Sequence, residues 1–351
     1  MRRHIVIGDI HGCFAELEAL LAEVAATPDD VIVSVGDLVD RGPEPAEVVR
    51  FFRTRPGAVV LAGNHERKHV RGVRSYAQEI TRLQLGAEYD EIVRWMGALP
   101  YYLELPDAIV VHAALAPGVP LGEQKPEVLC GSTAGEHELE RQLGGRWWHE
   151  LWDGDRPVIF GHHVVEEPLI RPGKIYGIDT GACHGGRLTA VILPGLHVHS
   201  VPARADHWAL AKRRWQADVL AARPWRELPW EDLDEQLARA GTHDEPRARA
   251  YAEALRRWRD ALDGRMGEVL EAVAREARAI AASGREPAEA ARAHPLSKLL
   301  FQQLGGRLDP RTLRRQCQTP RRLAELAAAL GLPPIDLPPL DPPALDPPAP
   351  A

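Results

Sequence analysis

The chain has 351 residues, a formal net charge of −7, 45% apolar residues and 26% charged residues. That length and balance fit a globular protein with one large core or two domains, and they exclude a collagen-like or wholly low-complexity chain. No apolar run approaches the roughly 18 residues of a membrane span. Cys13, Cys130, Cys183 and Cys317 lack metal-type or paired spacing, and Arg2-Arg3 lead straight into a short strand without an apolar leader. The expectation is a cytoplasmic protein with reduced thiols and no membrane partner.

In chain order, the first half alternates short apolar strands with amphipathic helices. Ile5-Val6-Ile7 reads as a strand, and Leu17, Leu20, Leu21 and Val24 give residues 14–24 helical spacing. Residues 31–35 are a second strand, 45–52 a second helix opened by a proline where a helix start tolerates one, and 58–61 a third strand. Further strands fall at 108–111, 157–160, 174–178 and 188–193. The pattern predicts an α/β domain over residues 1–204, with more than one sheet packed inside helices.

The charge is acidic over that span and turns basic over 205–331. There strand signals stop, and Ala-, Arg-, Glu- and Leu-rich stretches are broken at Pro224, Pro229, Gly241, Gly284 and Gly305-Gly306. These features predict an all-helical region, with no assignable role. Trp208, Trp215, Trp225, Trp230 and Trp258 gather there and read as core anchors, the alternative being an aromatic surface for a base or peptide. From Arg292 to Arg322 the only acid is Asp309, against eight bases. Such a run is usually a solvated face; the alternative is a nucleic-acid contact steering a polyanion toward the first domain. Residues 332–351 repeat Pro-Pro with intervening Asp and predict an extended, disordered tail.

Three strands in the first third end alike, in Gly8-Asp9-Ile10-His11-Gly12, Gly36-Asp37-Leu38-Val39-Asp40-Arg41-Gly42 and Gly63-Asn64-His65-Glu66. Two later ones run into His112 and into Gly161-His162-His163. Sites in open α/β sheets form outside the carboxyl ends of strands, where glycine allows a sharp turn. Asp, His and Asn converging there suit Mn, Fe or Zn better than the all-oxygen shell of Mg or Ca. The set is large enough for two metals about 3.5–4 Å apart, with one carboxylate between them, an arrangement that activates water and clamps a phosphoryl oxygen.

These motifs, with VHAAL at 111–115 and IDTGACHGGRLTAV at 178–191, resemble the calcineurin-like metallophosphoesterases over residues 4 to about 195. More narrowly, they resemble the phosphoprotein phosphatase branch, which includes bacterial Ser/Thr protein phosphatases and diadenosine tetraphosphatases. The resemblance implies a β-sandwich flanked by helices, here with an added helical C-terminal region. It also implies roles. Asp9 and His11 hold the first metal, Asp37 bridges, and Asn64, His112 and His162 hold the second. His65 is the general acid oriented by Asp40, and Arg41 binds substrate phosphate, where a planar guanidinium is well suited. Two divalent ions are expected, Mn first and Fe or Zn otherwise, with hydrolysis of a phosphate monoester by the hydroxide they activate.

The remaining candidates have two readings each. Arg41 also reads as a structural partner of Asp37 or Asp40, and Glu66 as a helix N-terminal carboxylate. His162, directly after the glycine, is preferred to His163 as ligand. His184 reads equally as an exposed loop residue or a substrate contact. Many bacterial members carry Leu-Leu-Trp-x-Arg where this chain has Val128-Leu129-Cys130-Gly131-Ser132, so the phosphate-binding arginine is missing, with Arg146 and Arg156 as spatial substitutes. The expected substrate is a phosphoprotein first and a nucleotide or polynucleotide, including a dinucleoside tetraphosphate, second. An inactive phosphate-binding scaffold is the reading from another class.

Overall fold

The computed structural model describes residues 2–283, 286–292 and 294–341. It divides into two compact units, the first running through Trp215 and the second beginning at Gln216. The strands are β1 (His4–Ile7), β2 (Val31–Ser34), β3 (Val59–Val60), β4 (Tyr102–Glu104), β5 (Ile109–Val111), β6 (Val158–Phe160), β7 (Leu169–Arg171), β8 (Ile175–Gly177), β9 (Arg187–Leu193) and β10 (His197–Pro202). They form two mixed five-stranded sheets, ordered β10-β9-β1-β2-β3 and β4-β5-β6-β8-β7. The first unit adds helices α1 (Phe14–Glu23), α2 (Pro45–Thr54), α3 (Asn64–Val70), α4 (Tyr76–Leu85), α5 (Tyr89–Met96), α6 (Pro126–Leu129), α7 (Thr133–Leu143) and α8 (His207–Arg214).

Side-chain alternation explains why the sheets stack inside helices. Ile5 and Ile7 of β1 join Leu17, Leu20, Val48 and Phe52 in a core under α1 and α2. The intervening Val6 meets Val33, Val110, Ile159 and Val191 in the layer between the sheets. In the second sheet, Ile109 and Val111 pack with Val128, Leu129 and Leu139 of α6 and α7, while Val110 faces the other sheet. Every central strand is therefore buried on both faces and reads as a continuous apolar run. This is the expected β-sandwich flanked by helices.

β1, β2 and β3 are mutually parallel, as are β5, β6 and β8. Their carboxyl ends carry Asp9, Asp37, Asn64, His112, His162 and Asp179.

The unit boundary falls after Trp215, later than the change of charge near residue 204. α8 stays with the first unit because Glu16 of α1 binds His207 Nε2 at 2.9 Å and the Arg204 N–H at 2.9 Å, while the Tyr76 hydroxyl donates to the Lys212 carbonyl.

The second unit is helical among its described residues: α9 (Gln216–Ala221), α10 (Trp230–Ala240), α11 (Pro246–Ala282), α12 (Pro287–Arg292), α13 (Ser297–Leu304), α14 (Pro310–Gln316) and α15 (Pro320–Ala329). Prolines at their first turns and capping by Glu245, Asp309 and Thr319 set where α11, α14 and α15 begin. Its core holds Trp225, Trp230 and Trp258, as expected of anchors, whereas Trp208 and Trp215 are half-buried and belong to the first unit. The basic run is interleaved with acids in space: Arg314 pairs with Asp234, Arg321 with Glu227 and Glu325, and Arg322 with Glu325.

The tail needs a correction over its first part. Residues 332–341 have no regular secondary structure, but Leu332, Ile335, Leu337 and Leu340 pack on the helical core, so every third residue or so supplies burial that the proline count conceals. Residues 342–351 lie outside the described residues. No helix among the described residues is long and apolar enough to cross a membrane.

Candidate metal centre

Asp37 is the centre of the arrangement. Its Oδ2 lies 3.6 Å from His11 Nε2 and 3.9 Å from His65 Nε2, and its Oδ1 lies 3.5 Å from His112 Nε2. Two donor groups therefore share it: His11, Asp37 and His65 on one side, and Asp9, Asp37 and His112 on the other. Asn64 Oδ1 sits 3.3 Å from His112 Nε2 and joins the second group.

The histidines are aimed by their far nitrogens. His11 Nδ1 donates to the Val39 carbonyl at 2.8 Å, and His112 Nδ1 to the Val35 carbonyl at 3.1 Å. Each therefore presents an Nε2 lone pair to Asp37. Burial lowers His11 to about 3 and His112 to about 4, which keeps both neutral, as a metal ligand must be.

The carboxylates show the complementary strain. Burial, then the charges of Asp179 and Asp37, push Asp9 well above the usual range. Burial likewise raises Asp179 to about 6, with Asp37 adding to it. Burial also acts to raise Asp37, but His112, His65 and His11 bring it below its ordinary value. Three buried carboxylates facing one another, with the neutral imidazoles of His11 and His112 beside them, are a donor set suited to divalent cations.

The backbone is bent to make this rim. Among the described residues, seven non-glycine residues have positive φ, and five of them are site residues: His11, Asp37, Asp40, Arg41 and His162. Such conformations cost of order 1–3 kcal/mol each and gather where surrounding structure over-determines them. Gly63 and Gly161 allow the closest approaches, since a Cβ there would lie 2.1 Å from Asp37 Oδ1 and 1.9 Å from Asp9 Oδ1.

His65 and Asp40 form a buried pair, with Nδ1 2.5 Å from Oδ2. His69 Nε2 at 2.9 Å, Thr81 Oγ1 at 2.6 Å and the Gln78 amide complete the shell around Asp40. Burial opposes this charge, but the hydrogen bonds from His65 and His69 hold Asp40 well below the usual carboxylate range. Arg41 Nη1 donates to His11 Nε2 at 3.1 Å, and its positive charge acts on both Asp9 and Asp37.

His162 is split in role. Its backbone N–H donates to Asp9 at 3.1 Å, and its ring lies 5.2 Å from that of His112, but its Nε2 bonds Glu136 of α7 at 2.9 Å. His163 turns away to meet Trp147, ring centroids 5.1 Å apart, and His184 is exposed in the turn after Gly181.

Two residues exceed their sequence reading. Asp179 ends β8 as Asp9 ends β1, a sixth instance of the same strand-end signal, and it lay in the quoted IDTG stretch. Glu66 does more than begin α3. Its oxygens accept the N–H groups of Asp37 at 2.9 Å, Leu38 at 2.8 Å and Gly63 at 3.0 Å, which locks the Asp37 turn.

Space is short at the segment that lacks the arginine. Gly131 stands against the His162 ring, where a Cβ would lie 2.5 Å from Nε2. The bases nearby are Arg67 and Lys68 of α3 and Arg71 just after it, which line a pocket of about 320 Å³ with Asn64, Ser132, Glu136 and His162, Arg67 and Arg71 both being paired with Glu127. Arg156 is instead bound to Glu104 and the Leu105 carbonyl, whereas Arg146 lines a neighbouring pocket with Trp147.

A sandwich whose parallel strands bring buried Asp, His and Asn donors to one rim defines a hydrolase of phosphate esters. Residues 3–179 match the family model for calcineurin-like phosphoesterases, and the chain belongs to that family. Among curated relatives, the asymmetrical bis(5'-nucleosyl)-tetraphosphatase PrpE of Bacillus subtilis is 30% identical over 229 residues, covering 56% of this chain and 93% of that one. The symmetrical bis(5'-nucleosyl)-tetraphosphatase of Pectobacterium carotovorum is 28% identical, covering 52% and 89%. A solved structure assigned as a diadenosine tetraphosphatase is 31% identical, covers 57% of this chain and 94% of its own, and has a TM-score of 0.49.

Proposed function

We propose that the chain hydrolyses dinucleoside polyphosphates, with Asp9, His11, Asp37, Asn64, His112 and His162 holding two divalent cations, Mn first among them. Bound cations of this kind supply Lewis acidity and a nucleophilic water. His65, its Nδ1 tied to Asp40, keeps Nε2 toward the rim and gives its proton to the departing oxygen. Arg41 neutralises the phosphoryl oxygens beside the carboxylates.

The observation that carries the substrate is a pair of pockets meeting at Glu136. The basic pocket of Arg67, Lys68 and Arg71 opens beside Asn64 and His162. The second pocket, about 330 Å³, lies beside His163 and is lined by Leu139, Leu143, Arg146, Trp147 and Trp148. Trp147 is 52% exposed. A phosphate chain needs the first kind of surface and a base the second. That pairing favours a nucleotide over a phosphoprotein and reverses the order suggested by motifs alone. The names of the relatives agree with it. Family membership and the two donor groups that share Asp37 support an enzyme over an inactive scaffold.

The test compares diadenosine tetraphosphate, a phosphoserine peptide and p-nitrophenyl phosphate, using the full chain with Mn2+. The dinucleotide should have the highest kcat/KM. Lys68→Ala and Trp147→Ala should each raise its KM about tenfold, the size of one charge contact or one stacked base, and leave p-nitrophenyl phosphate unaffected. A higher kcat/KM for the peptide, or an unchanged KM for the dinucleotide in both variants, would refute the assignment.

A further inference from the structure

A second cluster of metal-binding side chains lies apart from the rim. Cys13 directly precedes α1, Glu16 lies three residues on and so on the same side of its first turn, and His207 is the first residue of α8. Their donor atoms all lie within 4.8 Å of one another. None of the three belongs to the donor groups centred on Asp37.

The cluster is buried and incompletely satisfied. Cys13 is fully buried and Glu16 is 1% exposed. Glu16 Oε1 is used by His207 Nε2 and the Arg204 N–H, both at 2.9 Å. Its Oε2 is buried without a hydrogen-bond partner among the described residues. Among the described residues, the Cys13 thiol has only a long hydrogen-bond contact, to the His11 carbonyl at 3.6 Å. An unpaired carboxylate oxygen held beside a thiol and an imidazole is costly for a buried site and is what a cation would satisfy.

We propose that Cys13, Glu16 and His207 bind a structural zinc ion that ties α8 to the start of α1. The charges balance, because thiolate and carboxylate together carry −2 and the imidazole is neutral. Binding releases the thiol proton to solvent. One sulfur, one nitrogen and one oxygen donor suit zinc and disfavour manganese. Zinc bonds of about 2.0–2.3 Å place tetrahedral donors roughly 3.3–3.6 Å apart, so closing this cluster takes movements of order 1 Å. Three protein donors leave a fourth position for water.

Cobalt substitution tests the site without relying on activity. The donors at the rim contain no sulfur, so a thiolate-to-cobalt charge-transfer band in the near ultraviolet reports a cysteine ligand alone. The full chain loaded with Co2+ should show that band, and Zn2+ should bleach it. Cys13→Ser and His207→Gln should each abolish it and bind one cobalt fewer per chain, whereas Cys183→Ser should keep it. Should Cys13→Ser not fold, His207→Gln decides alone. Absence of the band in the folded, cobalt-saturated protein, its survival in Cys13→Ser or His207→Gln, or its loss in Cys183→Ser overturns the proposal.

Discussion

Replacing Glu66 by glutamine isolates the turn that carries Asp37. Glu66 Oε2 takes the N–H groups of Asp37 and Gly63, and Oε1 takes that of Leu38. Glutamine has one acceptor oxygen. Turned to keep the first two bonds, it sets its amide nitrogen against the Leu38 N–H. The change loses one charge-assisted bond of about 1.5–3 kcal/mol and leaves two buried donors facing each other, at about 1–3 kcal/mol. Opposing this, burial and the Asp37 charge raise Glu66 to about 7, so a neutral side chain relieves repulsion. The net cost is about 2 kcal/mol, or a Tm about 4–8 °C lower for a unit of this size. The effect on function should be larger in proportion. Loss of a group that orients a metal ligand costs about 10–100-fold in metal affinity or activity. A Mn2+ titration of p-nitrophenyl phosphate hydrolysis, paired with a thermal melt, reads both. A Glu66→Gln protein with wild-type Mn2+ dependence and Tm would refute the claim that this carboxylate sets the Asp37 turn.

Gly63→Ala tests space rather than hydrogen bonding. Gly63 has an ordinary φ of −85°, and the added Cβ would lie 2.1 Å from Asp37 Oδ1. Hydrolysis should fall about 100-fold, the penalty of a misplacement of order 1 Å; activity within a few-fold of wild type would show that Asp37 is free to move. Asp30 supplies a pH test away from the site. Arg3 binds it through Nε at 2.8 Å and Nη2 at 2.6 Å, and the Arg3 hydrogen bond holds its carboxyl at about 2 despite burial. A depressed carboxylate stabilises the fold above its unfolded value near 4, and that stabilisation is lost as pH falls through about 2. Asp30→Asn should therefore cost about 1–2 kcal/mol at neutral pH, and acid unfolding curves of the two proteins should converge near pH 2. A constant gap between them would contradict the assigned pairing.

Most strands legible in the sequence were those buried on both faces, the edge strand β3 being the exception. The central strands β1, β2, β5, β6, β8 and β9 announce themselves as apolar runs. The strands that escaped were β4, β7 and β10, all at sheet edges. Leu169-Ile170-Arg171 and the His-Val-His-Ser-Val-Pro run of β10 are half exposed and mixed in polarity, as edges usually are. The site residues were legible because glycine-led turns after strands repeat one pattern. Asp179 also follows a strand, but Ile178 rather than glycine precedes it, so it lacks the marker of most of the others. Glu66 was less legible because its partners, Asp37 and Leu38, come from a turn 28 and 29 residues away in sequence. The bases that line the pocket beside Ser132 were likewise hidden, because Lys68 on α3 and Arg71 just after it face a loop that only the fold brings near. In the second unit, the acids that pair with the basic run were not legible: Asp234 and Glu227 approach it only across α10 and the turn before it.

The central claim is that one carboxylate, Asp37, is shared by two divalent cations at the rim of the sandwich. Electron paramagnetic resonance of the Mn2+-loaded chain tests it most directly. Ions about 3.5–4 Å apart across a shared carboxylate are exchange-coupled. The account predicts a coupled spectrum for the wild-type chain and, in Asp37→Asn, its replacement by the spectrum of isolated ions together with loss of hydrolysis. A spectrum of isolated ions in the active wild-type protein, or an unchanged coupled spectrum in Asp37→Asn, would contradict it.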